Sequence, residues 1–388
     1  MIDPRDLFAD SYHDARARFA RALDAFEQQS GRGFARQRHV IDAALDLTID
    51  TAELQAQTPE RLFVAVSGIH GVEGYAGSAI QQALLARTLS RFDLDRTGVL
   101  FVHALNPHGM QHFQRVNAAN VDLNRNFGDE DGALYRSDAG DYRLLSRTFE
   151  PQRPYGARLS THARFFAEIA AATARHGIGP LRQATLAGQY VAPGGIFYGG
   201  ASPQPETLFF QRVFSALCTR YAEIMLTDLH TGYGERGRAY PLFGRADSAE
   251  FAAFSGQGVR DAGGRDRTYT AHGDLVGFCH DAAKRARPDG VFNGVVVELG
   301  THGLGMLSQL GDLHAVVREN QVRRHGARTP AIAAAVQRAF RELFYPGDSA
   351  WRAQALEEAC SRIESLLASR GFLPAAAQGP NSSVLVQK

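Results

Sequence analysis

Apolar positions follow two rhythms along the chain. Short unbroken runs at Leu62 to Val66, Val99 to Ala104, Ile224 to Leu229 and Val295 to Leu299 are each bounded by glycine or polar turns. Such runs predict buried strands. Between them, apolar residues recur at helical spacing from Ser78 to Leu89 and from Thr161 to Ala174. A third helical run, Thr207 to Glu223, carries Phe209, Phe210, Val213, Phe214 and Leu217. Near the start, Asp3-Pro4 reads as an N-cap and first helical position, followed by Leu7, Tyr12, Ala15, Phe19, Leu23 and Phe26 until Gly31. Alternating Leu45, Leu47 and Ile49 predict a strand before the polar turn at Thr58-Pro59. Pro330 to Phe344, with Thr329 as N-cap, and Trp351 to Leu367 predict two closing helices.

Strands alternating with helices imply an α/β protein whose mostly parallel sheet is covered on both faces. No internal repeat or linker divides the chain, so one domain is expected over residues 1–373. Residues 1–44 form an expected N-terminal helical extension and 328–373 the closing helices. The last stretch, 374–388, is rich in Ala, Gln, Gly and Ser and reads as a poorly ordered tail. Glycine-rich Gly256 to Gly264 reads as a surface loop, since no phosphate-binding lysine motif follows it.

Composition narrows the function classes. With 388 residues, 44% hydrophobic, the chain can bury a large core, and its net charge of +1 gives no reason to expect nucleic acid or an anionic membrane as partner. Three scattered cysteines (Cys218, Cys279 and Cys360) suggest neither a disulfide framework nor a cysteine zinc knuckle. Met1 to Asp6 is too polar for a signal peptide, and nowhere do about 18 apolar residues run together. The expectation is a soluble cytoplasmic protein; oligomeric state is not legible.

In open α/β sheets the ligand sits beyond the carboxyl ends of the strands. Those positions hold His70 and Glu73, then Asn106-Pro107-His108-Gly109, then His230, and, within the last run, Glu298. Two histidines and one carboxylate on a rigid sheet edge make an open three-ligand zinc site. A lone His-x-x-Glu pair is commonly a surface coincidence, but here it follows an apolar strand and sits among glycines. Glu298 has a plain account, as a strand-end residue reaching solvent or an arginine, and a functional one, as a general base whose pKa burial raises. The other strand ends favour the second. Asn124 and Arg125, with Arg115 upstream, offer the donors that hold a carboxylate. They suggest a substrate with a free carboxylate near its scissile bond.

Taken in order, His70-x-x-Glu73, Asn106-Pro107-x-Gly109, Asp122-Leu123-Asn124-Arg125-Asn126-Phe127, His230 and Glu298 resemble the zinc carboxypeptidases of the M14 superfamily. Ser67 to Gly74, Gly188-Gln189-Tyr190, Gly194 to Gly200 and Asp228 to Gly234 look, more narrowly, like its bacterial DUF2817 branch. The similarity runs roughly from Leu45 to Gly303. It implies a mixed eight-stranded sheet between helices and one zinc ion. His70, Glu73 and His230 match the metal ligands, and Glu298 the carboxylate that takes a proton from the attacking water. Asn124 and Arg125 match the pair that holds a terminal carboxylate, and Arg115 the arginine that polarises the scissile carbonyl. The stretch from Arg115 to Asn124 is shorter than in digestive carboxypeptidases and closer to aspartoacylase-like deacylases. A substrate-capping tyrosine has no aligned motif; Tyr190, Tyr198 and Tyr233 are candidates, with Tyr233 carried forward.

The expected function is zinc-dependent cleavage of an amide bond beside a free carboxylate, on a small peptide. The alternatives are an aspartoacylase-like N-acyl amino acid deacylase, a non-haem iron enzyme using the same triad, and a non-catalytic zinc-binding protein on the same fold.

Overall fold

Ser11 starts the first long helix, α1 (Tyr12–Ser30), by accepting a hydrogen bond from Asp14 N at 3.2 Å, and Gly31 ends it at φ 69°. The run beginning near Asp3-Pro4 is therefore split: a 3₁₀ turn at Pro4–Leu7 precedes the helix proper. The computed structural model describes residues 4–128, 132–137, 140–179, 181, 184, 187–246 and 272–374. The glycine-rich Gly256 to Gly264 and the tail from residue 375 lie outside these.

Seven strands form one sheet among the described residues, against the eight that the resemblance implies: β1 (Ala35–Asp42), β2 (Leu47–Leu54), β3 (Arg61–Ser67), β4 (Thr97–His103), β5 (Glu223–Gly232), β6 (Ala239–Ala246) and β7 (Val291–Gly300). Their order is β1-β2-β4-β3-β5-β7-β6. The central β4, β3, β5 and β7 run parallel, while β1, β2 and β6 pair antiparallel at the two sides. β1 and β6 lack a sequence signal. β1 lies inside the stretch expected to be a helical extension, and its exposed edge carries no apolar alternation. Leu45, expected in a strand, sits in the β1–β2 turn, where Asp42 Oδ1 accepts from Ala44 N at 2.9 Å and Leu45 N at 3.1 Å.

The period-2 pleat sorts the central strands onto two cores. Phe63, Ala65, Val99, Phe101, Met225, Leu229, Val295, Val297 and Leu299 face one core. Leu62, Val64, Val66, Leu100, Val102, Ile224, Leu226 and Phe292 face the other. The first core is closed by α1, α2 (Gly74–Arg87) and the final helix, the second by Pro205–Cys218 and Leu275–Ala286. The remaining helices are α3 (Pro107–Gln111), α4 (Gly140–Phe149), α5 (Leu159–His176), α8 (Met306–His325), α9 (Pro330–Phe344) and α10 (Ser349–Ser369), with α6 and α7 the pair just named on the second core. Thr329 caps α9 as expected, accepting from Ile332 N at 3.3 Å. Neither α7 nor α8 is foreseen from the sequence pattern. The expected helix to Glu223 stops at Cys218, because Glu223 already pairs with Arg61 in the sheet.

Trp351 locks α10 to the sheet: its ring is 2% exposed and Nε1 donates to Gly300 O at 2.8 Å. Trp351→Ala should lower unfolding free energy by about 3–5 kcal/mol, the usual cost of emptying such a site. Urea denaturation checks this, and a loss below about 1 kcal/mol would show that α10 is not part of the cooperative core.

Candidate metal centre

After β3 the chain turns sharply at Gly68, φ 71°, and enters a 3₁₀ turn at Gly71–Glu73. That turn places His70 and Glu73 on one side, beyond the carboxyl ends of the parallel strands. It is pinned from behind, since Gly71 N and Val72 N donate to Arg115 O (3.2 Å) and Gln114 O (2.9 Å). A Cβ at Gly71 would overlap the Gly109 backbone, whereas one at Gly109 would meet Asn106 Nδ2 at 2.6 Å and Val116 O at 2.8 Å, so each glycine answers its own close approach. Asn106, expected among the reactive strand ends, instead caps α3 through Gly109 N at 2.8 Å and donates to Arg115 O at 3.1 Å. Its role here is to hold the loop that carries Arg115.

The structure brings His70, Glu73 and His230 together, all buried, with one potential ligand atom from each within 4.8 Å of the others. His70 Nδ1 lies 3.0 Å from Glu73 Oε1, and His230 Nδ1 lies 3.0 Å from Glu73 Oε2. Each imidazole is held from its far side by a carboxylate: His70 Nε2 by Asp122 Oδ1 at 3.0 Å, and His230 Nε2 by Asp228 Oδ2 at 2.8 Å. Carboxylate–histidine pairs of this kind fix the ring and leave the other nitrogen for a metal. His70 Nδ1 is buried without a hydrogen-bond partner, as a nitrogen aimed at a cation would be. The residues present therefore fit a metal ion with two nitrogen ligands and one oxygen ligand.

Electrostatics agree. Burial works to raise the pKa of Glu73, but the charge of His70 and the hydrogen bond from His230 hold it well below the usual carboxylate range. Burial likewise opposes ionisation of Asp122, and Arg115 and His70 outweigh it. His230 goes the other way: burial favours the neutral ring, yet Asp228 and Glu73 raise its pKa well above the ordinary value. Glu73, Asp122, Asp228 and Glu298 surround two imidazoles and Arg115, an arrangement that attracts a cation.

Glu298 is the cross-strand neighbour of His230 in the β5–β7 register. Its Oε1 accepts from Tyr233 N at 2.9 Å, and burial, then the charge of Glu73, pushes its pKa up to about 8. Part of its surface stays open to solvent, as a group facing a cleft should. Arg115 donates through Nη1 to Glu73 Oε1 and through Nε to Asp122 Oδ2, each at 3.2 Å. Asn124 accepts from Leu275 N at 3.0 Å, and Arg125, 1% exposed, donates through Nη1 to its neighbour's carbonyl, Asn124 O, at 2.6 Å. Arg125 packs against Gly188, where a Cβ would lie 2.7 Å from its Cδ, and Gly188 has φ 82°.

Among the tyrosine candidates, Tyr233 meets Glu298 through its backbone. Tyr190 donates its hydroxyl to Arg125 O at 2.7 Å, and Tyr198 accepts from Asp122 N at 2.7 Å through its carbonyl. Asp122 and Asp228 lie within quoted motifs, yet neither has a role read from them. For Asp228 a signal exists, because Asp-x-His on a strand puts both side chains on one face. Asp122 lies in a loop, where no periodicity announces it.

A helix-covered α/β sheet with a buried His–Glu–His group beyond its parallel strands defines an α/β protein with a candidate metal centre. Residues 8–358 match the family described as "Protein of unknown function (DUF2817)", and the chain belongs to that family, the branch its motifs resemble. No curated protein sequence matches it. Solved structures similar to it include bovine thrombin-activatable fibrinolysis inhibitor in complex with tick carboxypeptidase inhibitor, 11% identical, covering 86% of this chain and 98% of that chain, TM-score 0.42. Others are the carboxypeptidase A from Helicoverpa armigera (13% identical, 82% and 71% covered, TM-score 0.38) and the metallo-carboxypeptidase from Burkholderia cenocepacia (12%, 84% and 66%, TM-score 0.36). Among the described residues no helix is long and apolar enough to cross a membrane.

Asp228→Asn should weaken metal binding by about 10–100-fold, the usual effect of losing such a carboxylate partner. Competition with a chromogenic chelator measures it. Unchanged affinity would mean that Asp228 does not orient His230.

Proposed function

We propose that this protein is a zinc-dependent hydrolase of the carboxypeptidase type, cleaving an amide bond next to a free carboxylate on a small peptide. The observation that carries the reading is the pairing, in adjacent register, of a buried His–Glu–His group with Glu298, a carboxyl whose pKa is pushed up to about 8. Zinc held by His70, Glu73 and His230 would supply Lewis-acid polarisation of the carbonyl and a lowered pKa for the attacking water.

The chain's own groups do the remaining work. Glu298 takes the proton of the attacking water and delivers it to the leaving amine; a raised pKa suits a group that must hold and release a proton near neutrality. Tyr233 N fixes its Oε1, so the carboxyl arrives already aimed. Arg115 commits Nε and Nη1 to carboxylates, leaving Nη2 as the donor for the developing oxyanion. Asn124 keeps its side-chain oxygen on Leu275 N and turns its amide to the substrate carboxylate, which Arg125 neutralises. Because Arg125 is only 1% exposed, that carboxylate must be drawn inside. A small terminal carboxylate suits this better than a long chain passing through.

The enclosed Arg125 gives equal support to one other substrate class, an N-acyl amino acid cleaved by the same groups. A mixed peptide and N-acyl amino acid library, followed by mass spectrometry with and without chelator, separates the two. Hydrolysis should stop on chelation and return with zinc. With the best substrate, Glu298→Gln should keep its metal content and lose at least about a hundredfold in kcat. Near-normal turnover in that variant would refute the assignment of Glu298.

A further inference from the structure

A second concentration of charge lies outside the metal centre. Helices α4, α5 and α8, with the segment from Glu150 to Tyr155, line a half-open pocket of about 280 Å³ that shares no residue with the candidate metal centre. That volume is near the lower end for small-ligand sites. Arg147, Arg153, Arg164 and Arg318 line it, against two carboxylates, Glu150 and Glu168.

The carboxylates balance only part of this charge: burial works to raise the pKa of Glu168, and Arg164 with, more weakly, Arg153 lowers it. Glu168 is taken by Arg164 Nε at 2.6 Å and by the Thr148 hydroxyl at 2.8 Å. Glu150 points elsewhere: a Cβ on Gly195 would lie 2.6 Å from its Oε1, and burial raises its pKa. Arg147, Arg153 and Arg318 have no ion-pair partner among the described residues. Arg318 Nε is also buried without a hydrogen-bond partner. Beside it, His314 is 6% exposed and stacks on Phe165 with ring centroids 4.4 Å apart, with His162 edge-on at 5.1 Å. Neither ring nitrogen of His314 is hydrogen-bonded among the described residues. The guanidinium groups of Arg147, Arg153 and Arg318 repel one another around one pocket, and an anion between them would offset that repulsion, while burial and then the charge of Arg318 lower the pKa of His314 to about 3, leaving a neutral ring that can still donate one N–H. Planar guanidinium donors match the oxygens of phosphate and carboxylate.

We propose that the α4–α5–α8 cavity binds a small, doubly charged oxyanion, phosphate or dicarboxylate, between Arg153 and Arg318, with Arg147 at the rim and His314 as a further donor. The inference does not depend on the hydrolytic reading, because the two sites share no residue.

Isothermal titration of the full chain with inorganic phosphate, and separately with succinate, at fixed ionic strength in chloride buffer, tests it. Saturable one-to-one binding of either anion is expected, and the tighter of the two names the ligand chemistry. Arg318→Met and Arg153→Met should each weaken binding roughly tenfold, as loss of a charge-assisted hydrogen bond does. His230→Ala should leave binding intact. Arg147→Gln alters an exposed position, so weaker binding with an unchanged melting curve guards against loss through misfolding. Absence of saturable binding by both anions overturns the proposal. So does binding that survives Arg153→Met and Arg318→Met but disappears in His230→Ala, which would place the anion at the metal centre.

Discussion

One buried carboxylate governs the architecture around the site. Glu73 is 1% exposed and meets four partners: His70 Nδ1 (3.0 Å), His230 Nδ1 (3.0 Å), Arg115 Nη1 (3.2 Å) and Thr231 N (3.0 Å). An ionised carboxylate taken out of water without partners is strongly disfavoured. Three separate segments must therefore arrive together: the turn after β3, the end of β5 and the loop bearing Arg115. The backbone approach of Gly71 to Gly109 belongs to this constraint, because any side chain there would push the Arg115 loop away from Glu73. Packing and charge demand the same geometry.

The balance of charge explains why this cluster suits a cation rather than a simple ion pair. Arg115 already bridges Glu73 and Asp122, and Asp228 is committed to His230. Glu298 adds a fourth carboxyl, and its raised pKa reflects the repulsion of Glu73 as well as burial. A positive ion among these groups would lower the cost of keeping all four ionised. The same ion would release His230 from the proton that Asp228 and Glu73 now favour on it. Asp122 and Asp228 thus serve the centre from behind, holding the two rings so that both Nδ1 atoms look inward.

The central strands and the His70, Glu73 and His230 cluster were legible because both rest on local pattern. Four apolar runs became β3, β4, β5 and β7; His70 and Glu73 follow β3, while His230 and Glu298 sit near the carboxyl ends of β5 and β7. What escaped depends on context. β1 is an exposed edge with pairing but no apolar stripe, and β6 is specified mainly by its ladder with β7. Helix α8 interleaves polar contacts with its apolar face: Asn320 donates to Gly194 O at 3.0 Å, and Arg323 to Asn120 Oδ1 at 2.6 Å. Those contacts brace the loop leading to Asp122, and no periodicity reveals them. Asn106 shows the converse, a polar strand end that looked reactive and proves to be a cap.

The position of Glu298 follows from the core more than from the site. Val297 and Leu299 face the core under α2 and α10, so the pleat turns Glu298 to the opposite face. On β5, Leu229 faces that same first core, which turns Asp228 and His230 to the opposite face as well. Parallel pairing then sets His230 directly beside Glu298. A one-residue slip of β7 would bury Glu298 in the apolar layer and turn Val297 or Leu299 toward the cleft, an exchange the core resists at every position along the strand. The register that places the candidate base is therefore held by apolar side chains on the face of the sheet opposite the candidate metal centre.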